Sequence, residues 1–388
     1  MSSFQEIILF AYDHSPKFRE IMKKVNLTPK NINTSKDLQR IPVLKKDDII
    51  DLQKKDIPFG GIATERIARM TRVFMSPGPI YDPQSEDGDY WRYSEALREA
   101  GFNENDIVQN TFSYHLSPSG FMFDSALRKL GCTVIPAGPG NRELQLQMMK
   151  DVGVTGFVGT PSFLGLLLDC IEEKGWKVGK EIKLKKVFFT GENLSIAFRK
   201  RCEEYGLSVH EAYGTADCGC LAFEDKSGPG LKITSSAYVQ ICDPITGTEV
   251  TGREGEVVVT LYDKSYPLIR FGTGDLSRWV EGYEGRRMVG ILGRVSDGVK
   301  VKGMFVREKQ LATILHERGY SYFQAIVTRE KNVDKLELIL ESDRELHSSL
   351  VGELQSLLRV KPVLKRVLPG ELYREEKRLI DRRNVEKV

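Results

Sequence analysis

The chain has 388 residues, 40% of them hydrophobic and 29% charged, which suits a globular protein with a large core and more than one domain. Its 57 basic and 54 acidic residues nearly cancel, leaving +3, so nucleic-acid binding is not indicated, although Lys365–Lys387 is locally basic. No apolar run approaches the roughly 18 residues that span a bilayer, no signal-peptide pattern opens the chain, and six cysteines over this length do not make a disulfide scaffold. A cytoplasmic protein with reduced, buried thiols and no membrane partner is expected.

The first sixty residues read as helix and loop. Phe4 to Val25 carries apolar residues at helical spacing, interrupted at Ser15-Pro16, and on its own would be an amphipathic cap. From Asp89 helix and strand patterns alternate. Helices are expected at Tyr90–Ala100, Phe121–Leu130, Arg142–Asp151, Ser162–Lys174 and Ser195–Tyr205, and strands at Ile107–Phe112, Cys132–Pro136, Thr155–Gly159 and Lys186–Thr190. The strands are short, apolar and uninterrupted, as in a sheet covered on both faces, so the fold class is α/β with a mostly parallel sheet. Ligands of such sheets sit beyond the carboxyl ends of the strands, where Gly191-Glu192 and Tyr213-Gly214 fall. After Gly228-Pro-Gly, the strand-like runs Lys232–Cys242 and Glu254–Asp263 suggest a β subdomain. The last stretch reads as helix (Glu308–Arg318), strands (Tyr322–Thr328, Lys335–Leu340), helix (Glu345–Leu358) and strand (Pro362–Val367), a small α+β domain. The expected domains are 1–294 and 295–388.

One stretch anchors the functional reading: Val209 to Cys220, a short strand running into a glycine-containing loop. Tyr213 can stack on a base, Gly214 lets backbone approach it, and Thr215 and Asp217 can bind phosphate and a divalent cation. Three further stretches lie at fitting distances: Thr190-Gly191-Glu192-Asn193, Arg270-Phe271-Gly272-Thr273-Gly274-Asp275, and Gly293-Arg294-Val295-Ser296-Asp297. Read alone, the first is an ordinary strand-to-helix turn with Ser195 capping the next helix. Cys218 and Cys220 lack a second Cys or His pair at usable spacing and read as buried thiols rather than metal ligands.

Together these stretches resemble the adenylate-forming enzymes, and within them the phenylacetate–coenzyme A ligase family. The resemblance begins near residue 10, in AYDHSPKFREIM and DLQRIPVLKKDDI, and continues through TVIPAGPGN and GTPSFL to about residue 383. It implies a large N-terminal domain and a small mobile C-terminal lid. ATP, Mg²⁺ and coenzyme A would be used to convert a carboxylic acid, through an acyl-adenylate and pyrophosphate, to a thioester. By the same resemblance Gly191, Glu192 and Asn193, together with Glu211, Ala212, Tyr213, Gly214 and Thr215, line the adenine and phosphate site, and Asp217 holds Mg²⁺ where the family has Glu. Ala216 replaces the family's hydroxyl residue just before that acid, so the phosphate ligand is Thr215 or a backbone N–H. Asp275 would accept both ribose hydroxyls. Arg294 would contact the nucleotide and Ser296 would stand at the pivot of the lid. Tyr114, His115, Phe121, Gly138 and Pro161 occupy acyl-pocket positions suited to a flat aryl acid, with His115 either a substrate contact or structural.

Two motifs depart from the family. Its phosphate loop of hydroxyls and glycines falls near Val73–Tyr81, where Pro77, Pro79 and Ile80 intervene and only Ser76 and Gly78 match; proline has no N–H to cradle pyrophosphate. The lysine that neutralises charge during adenylation aligns with Lys377 if one gap is allowed and with Glu375 without gaps; the need for a point charge favours Lys377. The resemblance thus implies an acid–thiol ligase acting on an aryl or arylacetic acid, with a homodimer by analogy. The alternatives are a ligase with a non-CoA acceptor, as in coenzyme F390 synthetases, or a nucleotide-binding pseudoenzyme.

Overall fold

A computed structural model describes residues 4–76, 80–85, 88–302, 304–330, 333–358, 360–372 and 378–383. The chain divides into two compact units, Met1–Leu292 and Gly293–Val388.

The first unit is built on an eight-stranded sheet in the order Arg287–Met288, Leu231–Ile233, Gly219–Phe223, Ser208–Thr215, Lys186–Phe189, Gly156–Gly159, Ile107–Asn110 and Thr133–Pro136. The five strands from Ser208–Thr215 to Thr133–Pro136 pair in parallel and the other three antiparallel. Alternate side chains of the parallel strands enter two separate cores. Val108, Val158 and Phe188 pack with Leu97, Phe123 and Leu127 of the helices Tyr93–Glu99 and Ser119–Lys129. Phe157, Val187 and Phe189 pack with Leu146, Leu164 and Leu168 of the helices Arg142–Val152 and Pro161–Glu173. Because both faces are covered, neither needs polar residues, which explains the unbroken apolar runs.

A second sheet has the order Leu44–Lys45, Phe271–Ser277, Gly255–Leu261, Ala237–Cys242. The run expected as one strand from Lys232 to Cys242 is divided. Leu231–Ile233 joins the large sheet, the Thr234 and Ser236 hydroxyls bond each other at 2.9 Å in the intervening turn, and Ala237–Cys242 joins the second sheet. The N-terminal helices Phe4–His14 and Pro16–Lys24 break at Ser15, whose Oγ accepts the Phe18 N–H, and bury Ile8, Ala11, Phe18 and Met22 with Ile269. Arg270, fully buried at φ 51°, fastens this segment down by donating to the carbonyls of Gln39 (2.8 Å), Ile41 (2.7 Å) and Gly247. Its role is structural.

The second unit, taken by itself, has a sheet in the order Val363–Val367, Val333–Glu341, Phe323–Glu330, Leu379–Asp381, with the helices Glu308–His316 and Leu350–Leu358 and a leading hairpin, Gly298–Val301 with Met304–Arg307. Leu311, Leu315, Leu338, Leu354 and Phe323 form its core. The second helix begins later than the expected Glu345, because His347 Nδ1 accepts the Ser349 N–H and Ser349 Oγ bonds Glu353, forming a local start. No described helix is long and apolar enough to cross a membrane.

Candidate active site

The carboxyl ends of the five parallel strands deliver Tyr114, Gly138, Pro161, Gly191 and Tyr213 to one edge of the sheet. Buried amides hold this edge. Asn110 Nδ2 donates to Tyr114 Oη and to the Gly120 carbonyl, both at 2.8 Å, while its Oδ1 accepts the Phe112 N–H at 3.2 Å. Tyr114 Oη also lies 3.4 Å from Asp124, and burial first, then the Asp124 charge, push this phenol up. The Tyr114 ring meets Phe121 edge-on at 5.2 Å, and the Arg72 guanidinium sits 4.6 Å over Phe121. His115, by contrast, is exposed. The loop at Gly138 is pinned by Gln145, whose Nε2 donates to the carbonyls of Gly138 (2.8 Å) and Gly140 (2.7 Å), and which itself accepts from Gln109. Pro161 opens the helix Pro161–Glu173, capped by Thr160.

On the neighbouring strand ends, Gly191 has φ 83° and lies against Phe112 and Thr160, a conformation few other residues adopt. Glu192 accepts from Ser162 Oγ at 2.8 Å and from Ser162 N–H at 3.2 Å, joining the loops after two adjacent strands. Asn193 is exposed, and Ser195 caps the helix Ile196–Glu204, so the turn reading holds there as well.

Tyr213-Gly214-Thr215, expected in a loop, lies within the strand Ser208–Thr215, and Phe271–Asp275 lies within the strand Phe271–Ser277. Strand geometry brings the two motifs together. Tyr213 Oη donates to Asp275 Oδ2 at 2.9 Å and lies 3.1 Å from Thr273 Oγ1, all buried. Burial and the Asp275 charge push the Tyr213 phenol well up, keeping it a donor. Gly214 is required sterically: a Cβ there would lie 2.2 Å from Tyr93 Oη and 2.4 Å from the Gly219 carbonyl. Thr215 Oγ1 accepts the Cys218 N–H at 3.0 Å, closing the turn, and Cys218 and Cys220 are buried, neutral thiols raised by burial. Beside them Ala212 is buried, and the half-buried Glu211 carboxyl is pushed up to about 6 by burial and by Glu224, although Arg199 lies 3.6 Å away.

A family model described as AMP-binding enzyme matches residues 93–261. A phenylacetate–coenzyme A ligase of Aromatoleum evansii is 30% identical over 325 residues, 79% of this chain and 72% of that protein. The chain belongs to the phenylacetate–coenzyme A ligase family. The enzyme of that name from Pseudomonas putida is 27% identical over 375 residues, covering 90% and 84% of the two chains. The fold agrees with an open 2-hydroxyisobutyryl-CoA ligase solved in complex with 2-HIB-AMP and CoA (TM-score 0.81, 23% identity, 97% of this chain and 89% of that one).

Within this family frame, Lys377 and Gly78 lie outside the described residues. Arg294 and Ser296 belong to the second unit; both are exposed, and Ser296 sits in the 3-10 turn Val295–Asp297. Ser76 ends the strand Arg72–Ser76 and is buried, its Oγ without a hydrogen-bond partner among the described residues. Asp217, the expected metal ligand, has a side chain only 3% exposed; Oδ2 is 3.1 Å from Lys46 Nζ, and Oδ1 has no partner among the described residues. Next to it Asp82 is raised above the ordinary carboxylate range by burial and then by the Asp217 charge, and its Oδ2 is likewise unpartnered. Buried hard oxygens of this kind suit a Mg²⁺ ion. Sequence reasoning missed Asp82, Lys46, Asn110, Gln109 and Gln145. Lys46 lay inside the quoted LKKDDI run; Asp82 had only its position between strand-forming residues to mark it.

Proposed function

We propose that the protein is an ATP-dependent carboxylate–CoA ligase, activating an aryl or arylacetic acid as the acyl-adenylate and then forming the thioester. The observation that supports this reading is the Tyr213–Asp275 bond, which joins the aromatic ring and the carboxylate that would serve the base and the ribose of a nucleotide. Tyr213 would border adenine beside Gly191, and the Asp275 carboxylate would take the ribose hydroxyls. Tyr114 and Phe121 would flank the acid, oriented by Asn110 and Asp124. In this geometry the carboxylate attacks the α-phosphate, pyrophosphate leaves, and the CoA thiol later displaces AMP; catalysis is positioning plus charge stabilisation. Asp217 would hold Mg²⁺, which when bound neutralises phosphate charge. Lys377 would place a point charge on the reacting phosphate, and Arg294 would meet the nucleotide as the second unit turns about Ser296. A cytoplasmic homodimer is the accompanying expectation.

AMP formation by the purified protein, measured with ATP, Mg²⁺ and a panel of aryl, arylacetic and short-chain acids, with and without CoA, tests the proposal. The expected result is AMP that depends on an aromatic acid and turns over fully only with CoA. AMP formed equally well without CoA points to another acceptor, and no AMP with any acid while ATP still binds points to a nucleotide-binding pseudoenzyme.

A further inference from the structure

The hairpin Arg72–Ser76/Ile80–Gln84 pairs Phe74 with Asp82 and Ser76 with Ile80, so Ser76 and Asp82 project from the same face. That face meets the turn after Ser208–Thr215, which carries Asp217: Ile80, two residues from Asp82 on the same face, packs in one buried core with Cys218 and Tyr266, and the Asp217 charge reaches Asp82. Tyr266 closes the group: its buried phenol is raised by burial and by the charges of both carboxylates. Four oxygens of these side chains, Ser76 Oγ, Asp82 Oδ2, Asp217 Oδ1 and Tyr266 Oη, are buried without a hydrogen bond of good geometry among the described residues, although Ser76 lies close enough to Asp82, and Gln53 to Tyr266, to favour their ionised forms. The parent residues Ser76, Asp82 and Tyr266 are each 3% exposed. Buried polar atoms are ordinarily satisfied, and several unsatisfied together point to a bound ion or water. The nearby cation is Lys46, whose ammonium touches Asp217 Oδ2 while its side chain remains 33% exposed.

We propose that Asp82 is a second carboxylate ligand of the divalent-cation site at Asp217, with Ser76 and Tyr266 supplying hydroxyls, and that Lys46 is a resident counter-charge the metal displaces. The proposal rests on the ligase reading for the metal's role but not for its binding. Asp82 belongs to no motif that carried the functional reading. Among the described residues no group of three or more His, Cys, Asp or Glu could hold a metal, so the ion would take two carboxylates and complete its shell with hydroxyls, water or substrate phosphate, as Mg²⁺ commonly does. An ammonium on one carboxylate keeps the acidic pair folded without metal and opposes entry of a second positive charge.

The test is Mn²⁺ binding to the full-length protein without nucleotide, acid or CoA, with free Mn²⁺ followed by electron paramagnetic resonance and Mg²⁺ as competitor. Wild type is expected to take up Mg²⁺-displaceable Mn²⁺, Asp82→Asn and Asp217→Asn to weaken it at least tenfold, and Lys46→Met to tighten it severalfold. Tighter binding is a gain that misfolding cannot produce. Uptake by Asp82→Asn equal to wild type, or no uptake by wild type at millimolar Mn²⁺, overturns the proposal, and Lys46→Met binding no tighter than wild type overturns the displacement. A protein that forms no AMP with any acid yet binds Mn²⁺ through Asp82 removes the ligase reading and leaves this site; an active ligase whose Mn²⁺ uptake ignores Asp82 does the reverse.

Discussion

The two sides of the active site differ in how their polar groups are used. On the nucleotide side nearly every group that matters has a partner: Tyr213 with Asp275 and Thr273, Glu192 with Ser162, Thr215 with Cys218. On the side facing the hairpin Arg72–Gln84, Ser76, Asp82, Asp217 and Tyr266 keep unpartnered oxygens. A satisfied network is preorganised, holding its shape before the ligand arrives, whereas unpaired buried oxygens are costly until something positive or protic fills them. On the proposed function, the base and ribose would meet a finished wall, and the phosphate end would be completed on binding.

The largest effect is expected from Lys377→Ala, which should lower acid-dependent AMP formation about 10²–10³-fold with ATP binding largely kept, since the missing charge acts in the transition state. Retained activity would return the role to another residue. Gly214→Ala breaks the finished wall directly: its Cβ collides with Tyr93 and Gly219, and overpacking of this kind costs roughly 1–3 kcal/mol or more, read as a lower melting temperature. Tyr213→Phe removes only the hydrogen bonds to buried Asp275 and Thr273, at about 1–3 kcal/mol, and should raise the KM for ATP more than it changes kcat. An unchanged KM would detach that pair from the nucleotide.

Glu211 sharpens the comparison through pH. Its folded pKa, pushed up to about 6 from 4.5, means that the neutral carboxyl suits the fold. The stability it contributes is complete below 4.5 and is lost as pH rises through 6, on the order of 1 kcal/mol after allowing for partial exposure. Glu211→Gln should flatten that part of the stability–pH curve in urea melts. The smallest effect is Glu192→Gln, which keeps one acceptor for exposed Ser162 and should cost under about 0.5 kcal/mol.

Much of the fold was legible because periodicity is local. The α/β alternation, the break at Ser15-Pro16 and the short apolar strands all follow from residue spacing. The motifs were legible as words but not as geometry: Tyr213 and Asp275 lie 62 positions apart, and only the approach of a strand of the large sheet to a strand of the second sheet brings them within 2.9 Å. Asp82 and Lys46 were not legible as site residues, since their importance lies in what a third element, the turn at Asp217, places beside them. The same holds for Arg270, read as part of a ribose motif yet turned into the core by its left-handed backbone to hold the N-terminal segment.

Oxygen tracing tests the central claim most directly. With an aryl acid labelled with ¹⁸O in its carboxylate, ATP and CoA, attack on the α-phosphate must carry one labelled oxygen into AMP. The account predicts ¹⁸O in AMP and none in inorganic phosphate. Label in inorganic phosphate, with ADP as the nucleotide product, would mean activation at the γ-phosphate and would contradict it.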